Sequence, residues 1–265
     1  MYSFQHKKAD SVANAVALLA QTNGKILAGG QSLVAAMKLR LAQPGTLIDL
    51  SGIRELHGIR REGDHVVIGA MTRHADVASS KEVQSAIPAL AALAEGIGDR
   101  QVRNMGTIGG SIANNDPASD YPAAVVALNA TVNTNKRKIA GDDFFKGVFE
   151  TALQPGEIIA SITFPIPKRA GYVKFRNPAS RYAIVGVFVA ESNGVRVAVT
   201  GAGPCAFRVP EMEKALSAKL APDAIANVKV SANGLNSDIH ASAEYRAHLV
   251  NVIARRAVEQ AVAGK

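Results

Sequence analysis

Between Lys25 and Lys38 the chain reads Lys-Ile-Leu-Ala-Gly-Gly-Gln-Ser-Leu-Val-Ala-Ala-Met-Lys. The apolar run Ile26, Leu27 and Ala28 suits the end of a buried strand. Gly29 and Gly30 break it, and the polar pair Gln31 and Ser32 suits a tight bend. Leu33, Val34, Met37 and Leu41 then follow at helical spacing. Strand, glycine turn and helix start in that order bring bare backbone close to a ligand. A helix start also offers unpaired N–H groups and the positive end of its dipole. Such a site favours a phosphate or pyrophosphate. The pattern is neither a GxGxxG fingerprint nor a Walker loop, because no Gly-Lys-Ser/Thr follows. A plain strand-to-helix turn has the same pattern, so the choice rests on the rest of the chain.

A second stretch supplies the argument. Gln101 to Asp120 holds Gly106, Gly109 and Gly110 together with several asparagines and aspartates, and its apolar pieces are short. It reads as a long polar loop, and long loops in compact domains are usually functional. Thr107, Gly109, Gly110 and Ser111 can offer backbone and hydroxyl contacts to an anion. Asn114, Asp116 and Asp120 can bond ribose or ribityl hydroxyls, since a carboxylate accepts from both hydroxyls of a diol. The competing reading is that these residues only shape turns. Two glycine turns suggest a large ligand with phosphates and many hydroxyls, and FAD suits them better than a mononucleotide.

Composition narrows the function classes. The net charge is +8, but Lys and Arg are scattered and Lys136-Arg137-Lys138 is their longest run. Nucleic-acid binding is therefore not expected. The single Cys205 excludes an internal disulfide and a cysteine-ligated cluster. No apolar run approaches the length of a membrane span. The N-terminal residues lack the apolar stretch of a signal peptide, so a cytoplasmic protein is expected.

In chain order, Asp10 is expected to cap a helix carrying Val12, Val16 and Leu19 on one face. Thr46–Leu50 reads as a strand, which makes the first fifty residues a small α/β unit. His65–Gly69 reads as a strand, and Thr72 stands where a helix cap is expected. Val83 to Gly96 is expected to be helical with a break near Pro88. Ile158–Phe164 reads as a strand stopped by Pro165-Ile166-Pro167, with a domain boundary at about Lys168 to Gly171. Beyond it, Gly171–Phe175, Ala183–Ala190 and Val195–Gly201 look like three antiparallel strands, the last two joined by a turn at Ser192-Asn193-Gly194. Helices are expected at Pro210–Leu220 and Ala243–Ala263.

Taken together, these residues resemble the FAD-binding medium subunit of molybdenum hydroxylases, the group of xanthine dehydrogenase and aerobic carbon monoxide dehydrogenase. The carriers are Ala28-Gly29-Gly30-Gln31-Ser32-Leu33, Gly106-Thr107-Ile108-Gly109-Gly110-Ser111 and Asn115-Asp116-Pro117-Ala118-Ser119-Asp120. Two more are Glu150 to Glu157 and His240 to Arg246. The resemblance implies an α+β chain: a vanillyl-alcohol-oxidase or PCMH-type FAD domain, then a small α+β domain. The first spans residues 1–170, with α/β subdomains of about 1–55 and 56–170, and the second spans 171–265. It implies that Ile26, Leu27, Ala28, Gly29, Gly30, Gln31, Ser32 and Leu33 wrap the FAD pyrophosphate. Thr107, Gly110, Ser111, Asn114 and Asp120 would also contact the cofactor, with Ile159 and Arg176, and Arg181 to Ile184 would lie near the flavin ring. Met105 is a departure, since arginine is common there.

The resemblance further implies partners. A small subunit would carry [2Fe–2S] clusters, and a large one the molybdenum–pterin cofactor where substrate is hydroxylated, in a dimer of heterotrimers. Electrons would pass through FAD to NAD⁺, a quinone or oxygen. The chain would then need no catalytic residue or metal ligand of its own. One rival is a self-contained flavoenzyme of the same fold, such as an enolpyruvyl-UDP-sugar reductase or an alcohol oxidase. A second is a binding module that uses the cofactor only structurally.

Overall fold

Three parallel strands begin the chain in a computed structural model that describes residues 1–264. β1 (Gln5–Lys8), β2 (Lys25–Leu27) and β3 (Thr46–Asp49) form a sheet in the order β1-β3-β2. Parallel neighbours need crossovers, here α1 (Val12–Thr22) and α2 (Leu33–Lys38). The cap of α1 is Ser11, not Asp10: the Ser11 hydroxyl accepts from the Asn14 amide at 3.2 Å and donates to the Asp10 carboxylate. Asp10 lies one residue too early to reach that amide. The helix at Leu33 is also shorter than its spacing suggests. Arg40 takes a φ of 61°, and Leu41 is 78% exposed.

A second, antiparallel sheet has the order β4-β5-β10-β6-β7. Its strands are β4 (Ile59–Glu62), β5 (His65–Gly69), β6 (Thr131–Thr134), β7 (Lys138–Ala140) and β10 (Ile159–Pro165). Between β5 and β6 run α3 (His74–Ser79), α4 (Lys81–Ala86), α5 (Pro88–Glu95), α6 (Arg100–Met105), α7 (Ile108–Asn114) and α8 (Tyr121–Ala127). The break at Pro88 is present, with Pro88 in the first turn of α5 where its missing N–H costs nothing. The long polar loop is not: Gln101 to Asn114 is almost wholly helical. Nor does Thr72 cap α3. Arg73 holds that position, while the Thr72 hydroxyl bonds both the N–H and the C=O of Gly58, each at 3.1 Å. A short helix, α9 (Gly141–Phe144), and a two-stranded ribbon of β8 (Phe145–Gly147) and β9 (Glu150–Thr151) complete this part.

The basic run at Lys136 is tied into a turn. Arg137 bonds both oxygens of Glu157, at 3.0 and 3.1 Å, and Lys136 donates to the Pro155 carbonyl. The Arg137 bonds hold the Glu157 carboxyl down at a pKa of about 2, with the Gln154 amide and the Thr134 hydroxyl adding to them against burial.

The third sheet is antiparallel, in the order β11 (Arg169–Arg176), β12 (Ala183–Ser192), β13 (Gly194–Thr200) and β14 (Phe207–Arg208). It has one strand more than the hydrophobic pattern announces. β12 is covered on both faces, so it reads as an unbroken apolar run. Val185, Val187 and Val189 pack with Val197 and Val199 against α10 (Pro210–Ala218) and α11 (Ala243–Ala263). Phe188 and Ala190, on the opposite face, join Ala198 and Tyr172 in the core that also holds Leu90, Leu93, Val125 and Ile162. No helix among the described residues is long and apolar enough to cross a membrane.

Candidate cofactor site

The two glycine turns touch. A Cβ placed on Gly29 would stand 1.9 Å from the Met105 carbonyl oxygen and 2.9 Å from the Gly106 Cα. Only a glycine lets the first turn lie against this backbone. Gly30 has a φ of +76°, a left-handed conformation that also favours glycine. On the other side, a Cβ on Gly110 would fall 3.3 Å from the Ala28 methyl and 2.9 Å from the Thr107 hydroxyl. Ile26, Leu27, Ala28, Gly29, Gly30 and Leu33 are half-buried here, and Gln31 and Ser32 are exposed. Ser32 makes no side-chain cap to α2, whereas Thr107 caps α7 by accepting from the Gly110 amide at 3.1 Å. That bond uses the hydroxyl's acceptor side and leaves its proton free to donate.

These features fit a diphosphate-bearing ligand. Bare backbone from two elements converges, and the first amides of α2 lack a side-chain acceptor. A β-carbon at Gly110 would fill the space between the turns.

The second turn is held from behind. Gly109 donates to the Ala70 carbonyl at 2.8 Å, and Ala70 donates to the Ala160 carbonyl at 2.9 Å. Through Ala70, the Ala160 backbone, next to buried Ile159, is linked to the turn. His74 donates its amide to the Gly106 carbonyl at 3.0 Å, and its ring packs at 5.3 Å from that of Tyr121. Burial lowers the His74 pKa to about 4, with the Arg103 guanidinium adding to it.

The sign of that shift gives a prediction. The buried ring stays neutral, while the unfolded chain takes up a proton below about pH 6.5. The stability this group contributes is complete above pH 6.5 and is lost as pH falls towards 4. The loss amounts to about 3 kcal/mol. Urea midpoints measured from pH 7 to 4.5 should show it, and His74→Gln should flatten the decline. Glu157 acts in a separate window, with stability present above about pH 4.5 and lost as pH falls towards 2.

Beyond α7 the chain turns sharply. Asn115 caps the helix with a φ of 44°. Its buried amide donates to the Gly147 and Glu150 carbonyls, both at 2.8 Å. The Asp116 carboxylate accepts from the Ala118 amide at 2.9 Å, which makes it a turn-former in this structure. Ser111 and Asn114 are half-buried on α7. Asp120 is 5% exposed, and its carboxylate meets the Tyr172 hydroxyl and, at 2.9 Å, the Lys174 ammonium. Burial raises the Asp120 pKa despite the opposing pull of Lys174 and Tyr172. Arg176 is exposed at the end of β11. Arg181, with a φ of 64°, donates to the Gly98 carbonyl at 3.1 Å, which anchors the loop before β12 near α6.

Sequence reasoning missed His74, Asn115, Tyr172 and Lys174. Asn115 stood inside a recognised motif, but the other three lie far along the chain from the groups they meet.

Comparison with known proteins bears on the family. Residues 2–167 match the family described as FAD binding domain in molybdopterin dehydrogenase, and residues 171–261 match the CO dehydrogenase flavoprotein C-terminal domain. The chain is 38% identical to the nicotine 6-hydroxylase medium subunit of Paenarthrobacter nicotinovorans, covering 95% of this chain and 94% of that one. It is 37% identical to the carbon monoxide dehydrogenase medium chain of Hydrogenophaga pseudoflava, covering 97% and 96%. Reconstituted CO dehydrogenase from Oligotropha carboxidovorans contains a chain that superposes with a TM-score of 0.91 at 34% identity, covering 100% of this chain and 99% of that one.

Proposed function

Because the chain belongs to the family of FAD-binding medium subunits of molybdenum hydroxylases, we propose that it relays electrons through FAD held at its two glycine turns. It is an oxidoreductase component with an FAD-binding domain. The observation that carries the proposal is the contact of Gly29 with Met105 and Gly106, which joins the two turns into one cradle.

In this reading the backbone from Ile26 to Leu33 and the groups at Thr107, Gly109, Gly110 and Ser111 bind the pyrophosphate. Asn114, Asp116 and Asp120 serve the hydroxyl-bearing part of the cofactor, with Ile159 and Arg176 at its flanks. FAD held there would supply the redox chemistry, while these residues would orient it and set its field. The donors are [2Fe–2S] clusters of a small partner subunit. Substrate is oxidised at the molybdenum–pterin centre of a large one, in a dimer of heterotrimers. The acceptor is NAD⁺, a quinone or oxygen. The relatives' names span nicotine and carbon monoxide, which supports placing substrate choice in the partner.

Anaerobic flavin reduction by substrate tests this. Absorbance at the flavin band should fall only when the partner chains are co-expressed. Reduction by the isolated chain would favour a self-contained flavoenzyme, and no reduction in either case would favour a structural cofactor.

A further inference from the structure

We infer that Thr200, the last residue of β13, is a positioning residue for the segment Asn115–Asp120. The inference rests on the proposal that this segment serves the cofactor. Three successive carbonyls of the segment accept hydrogen bonds from the third sheet. The Thr200 hydroxyl donates to the Ser119 carbonyl at 2.5 Å, with the Pro117 carbonyl at 3.1 Å. The Gly201 amide also reaches Pro117, at 2.8 Å, and the Ala183 amide reaches Ala118, at 3.4 Å. Just beyond, Asp120 meets Tyr172 and Lys174 of β11. Within the segment, the Asp116 carboxylate accepts from the Ala118 amide and the Asp116 carbonyl from the Ser119 amide, which fixes its local shape but not its place. At its first residue the segment is tied to the β8–β9 ribbon through Asn115, and from Pro117 to Asp120 its place comes from β11 to β13, some fifty to eighty residues along the chain.

Thr200 is fully buried, so its hydroxyl has no competing water. Pro117 keeps a second donor if that hydroxyl is removed. The Ser119 carbonyl, next to Asp120, loses the donor it has. A buried carbonyl without a partner drives the backbone towards other conformations. The fraction of molecules with the segment in its binding conformation then falls, and apparent affinity falls in proportion. The third sheet therefore acts on the cofactor site through the backbone, without touching the ligand.

The test uses the whole chain, stripped of flavin and titrated with FAD by fluorescence quenching. Thr200→Val keeps the shape and removes the hydroxyl, and Thr200→Ser restores it. We expect the FAD Kd of Thr200→Val to rise about tenfold, and that of Thr200→Ser to stay within about twofold of the parent. At saturating FAD the visible circular dichroism of bound flavin should return to the parental form, because the ligand contacts themselves are unchanged. If Thr200→Val binds like the parent while Thr107→Val loses flavin, the positioning role is wrong and the site assignment stands. Equal weakening by valine and serine also overturns it, since that marks a general packing defect. If even Thr107→Val keeps full affinity, the site assignment itself fails. Should Thr200→Val not yield folded protein, Thr200→Ala, which also removes the hydroxyl, decides by the same threshold against Thr200→Ser.

Discussion

Replacing Gly29 by alanine is expected to empty the cofactor site. The new methyl would meet the Met105 carbonyl oxygen at 1.9 Å and its carbon at 2.8 Å. No rotamer change relieves this, because the obstacle is backbone. That backbone is itself fixed: Gly106 donates to Val102 at 2.8 Å and accepts from His74 at 3.0 Å. The two turns must move apart, and the cradle opens. Overpacking of this kind costs about 1–3 kcal/mol or more, which lowers the melting temperature of a chain this size by about 5–10 °C. The purified variant should be nearly colourless, with flavin occupancy about a tenth of the parental value or less. Gly45→Ala is the matched control, because a Cβ there meets nothing within 4 Å. A fully yellow Gly29→Ala protein would overturn the account of the cradle.

Asp120→Asn should produce the largest loss of stability. Its carboxylate faces Lys174 at 2.9 Å, and the two side chains are only 5% and 9% exposed. Taking away one partner leaves an ammonium buried without compensation, at a cost of about 3–5 kcal/mol. The melting temperature should fall by about 10 °C. Adding Lys174→Met removes the stranded charge and should recover most of that loss, whereas Lys174→Met alone should be destabilising. The same pair of variants separates two roles for Asp120. Recovery of stability together with full FAD affinity would make Asp120 purely a tie to the third sheet. Recovery of stability with weak affinity would mean that its carboxylate also serves the ligand. No recovery in the double variant would contradict the ion-pair argument.

The first glycine turn was legible because its signal is local. An apolar run, a glycine pair and helical spacing sit within fourteen consecutive residues. The helices around the second turn were not. Gly109 and Gly110 lower helix propensity, so the stretch looks like loop. It becomes α7 because Ile108 and Ile112 are fully buried and Gly109 is pressed on Ala70, where only a glycine fits. Tertiary packing outweighs the local preference. The same holds for the third sheet, whose central apolar strands were readable, while β14, with two residues, is too short to show a pattern. Asp120 illustrates the limit best. Its residue type suggested a diol contact, but its recorded partners, Tyr172 and Lys174, lie more than fifty residues away in sequence.

The doubly covered strand β12 has a consequence for anyone recombining these proteins. Its alternating residues face two different cores, one built with α10 and α11 and the other with α5 and α8. A hybrid that takes residues up to about the Lys168 junction from one relative and the remainder from another inherits two half-surfaces that evolved apart. Phe188, Ala190 and Ala198 would then need matching neighbours at Leu90, Leu93 and Val125. Shuffled genes should therefore work only when those facing positions travel as a set.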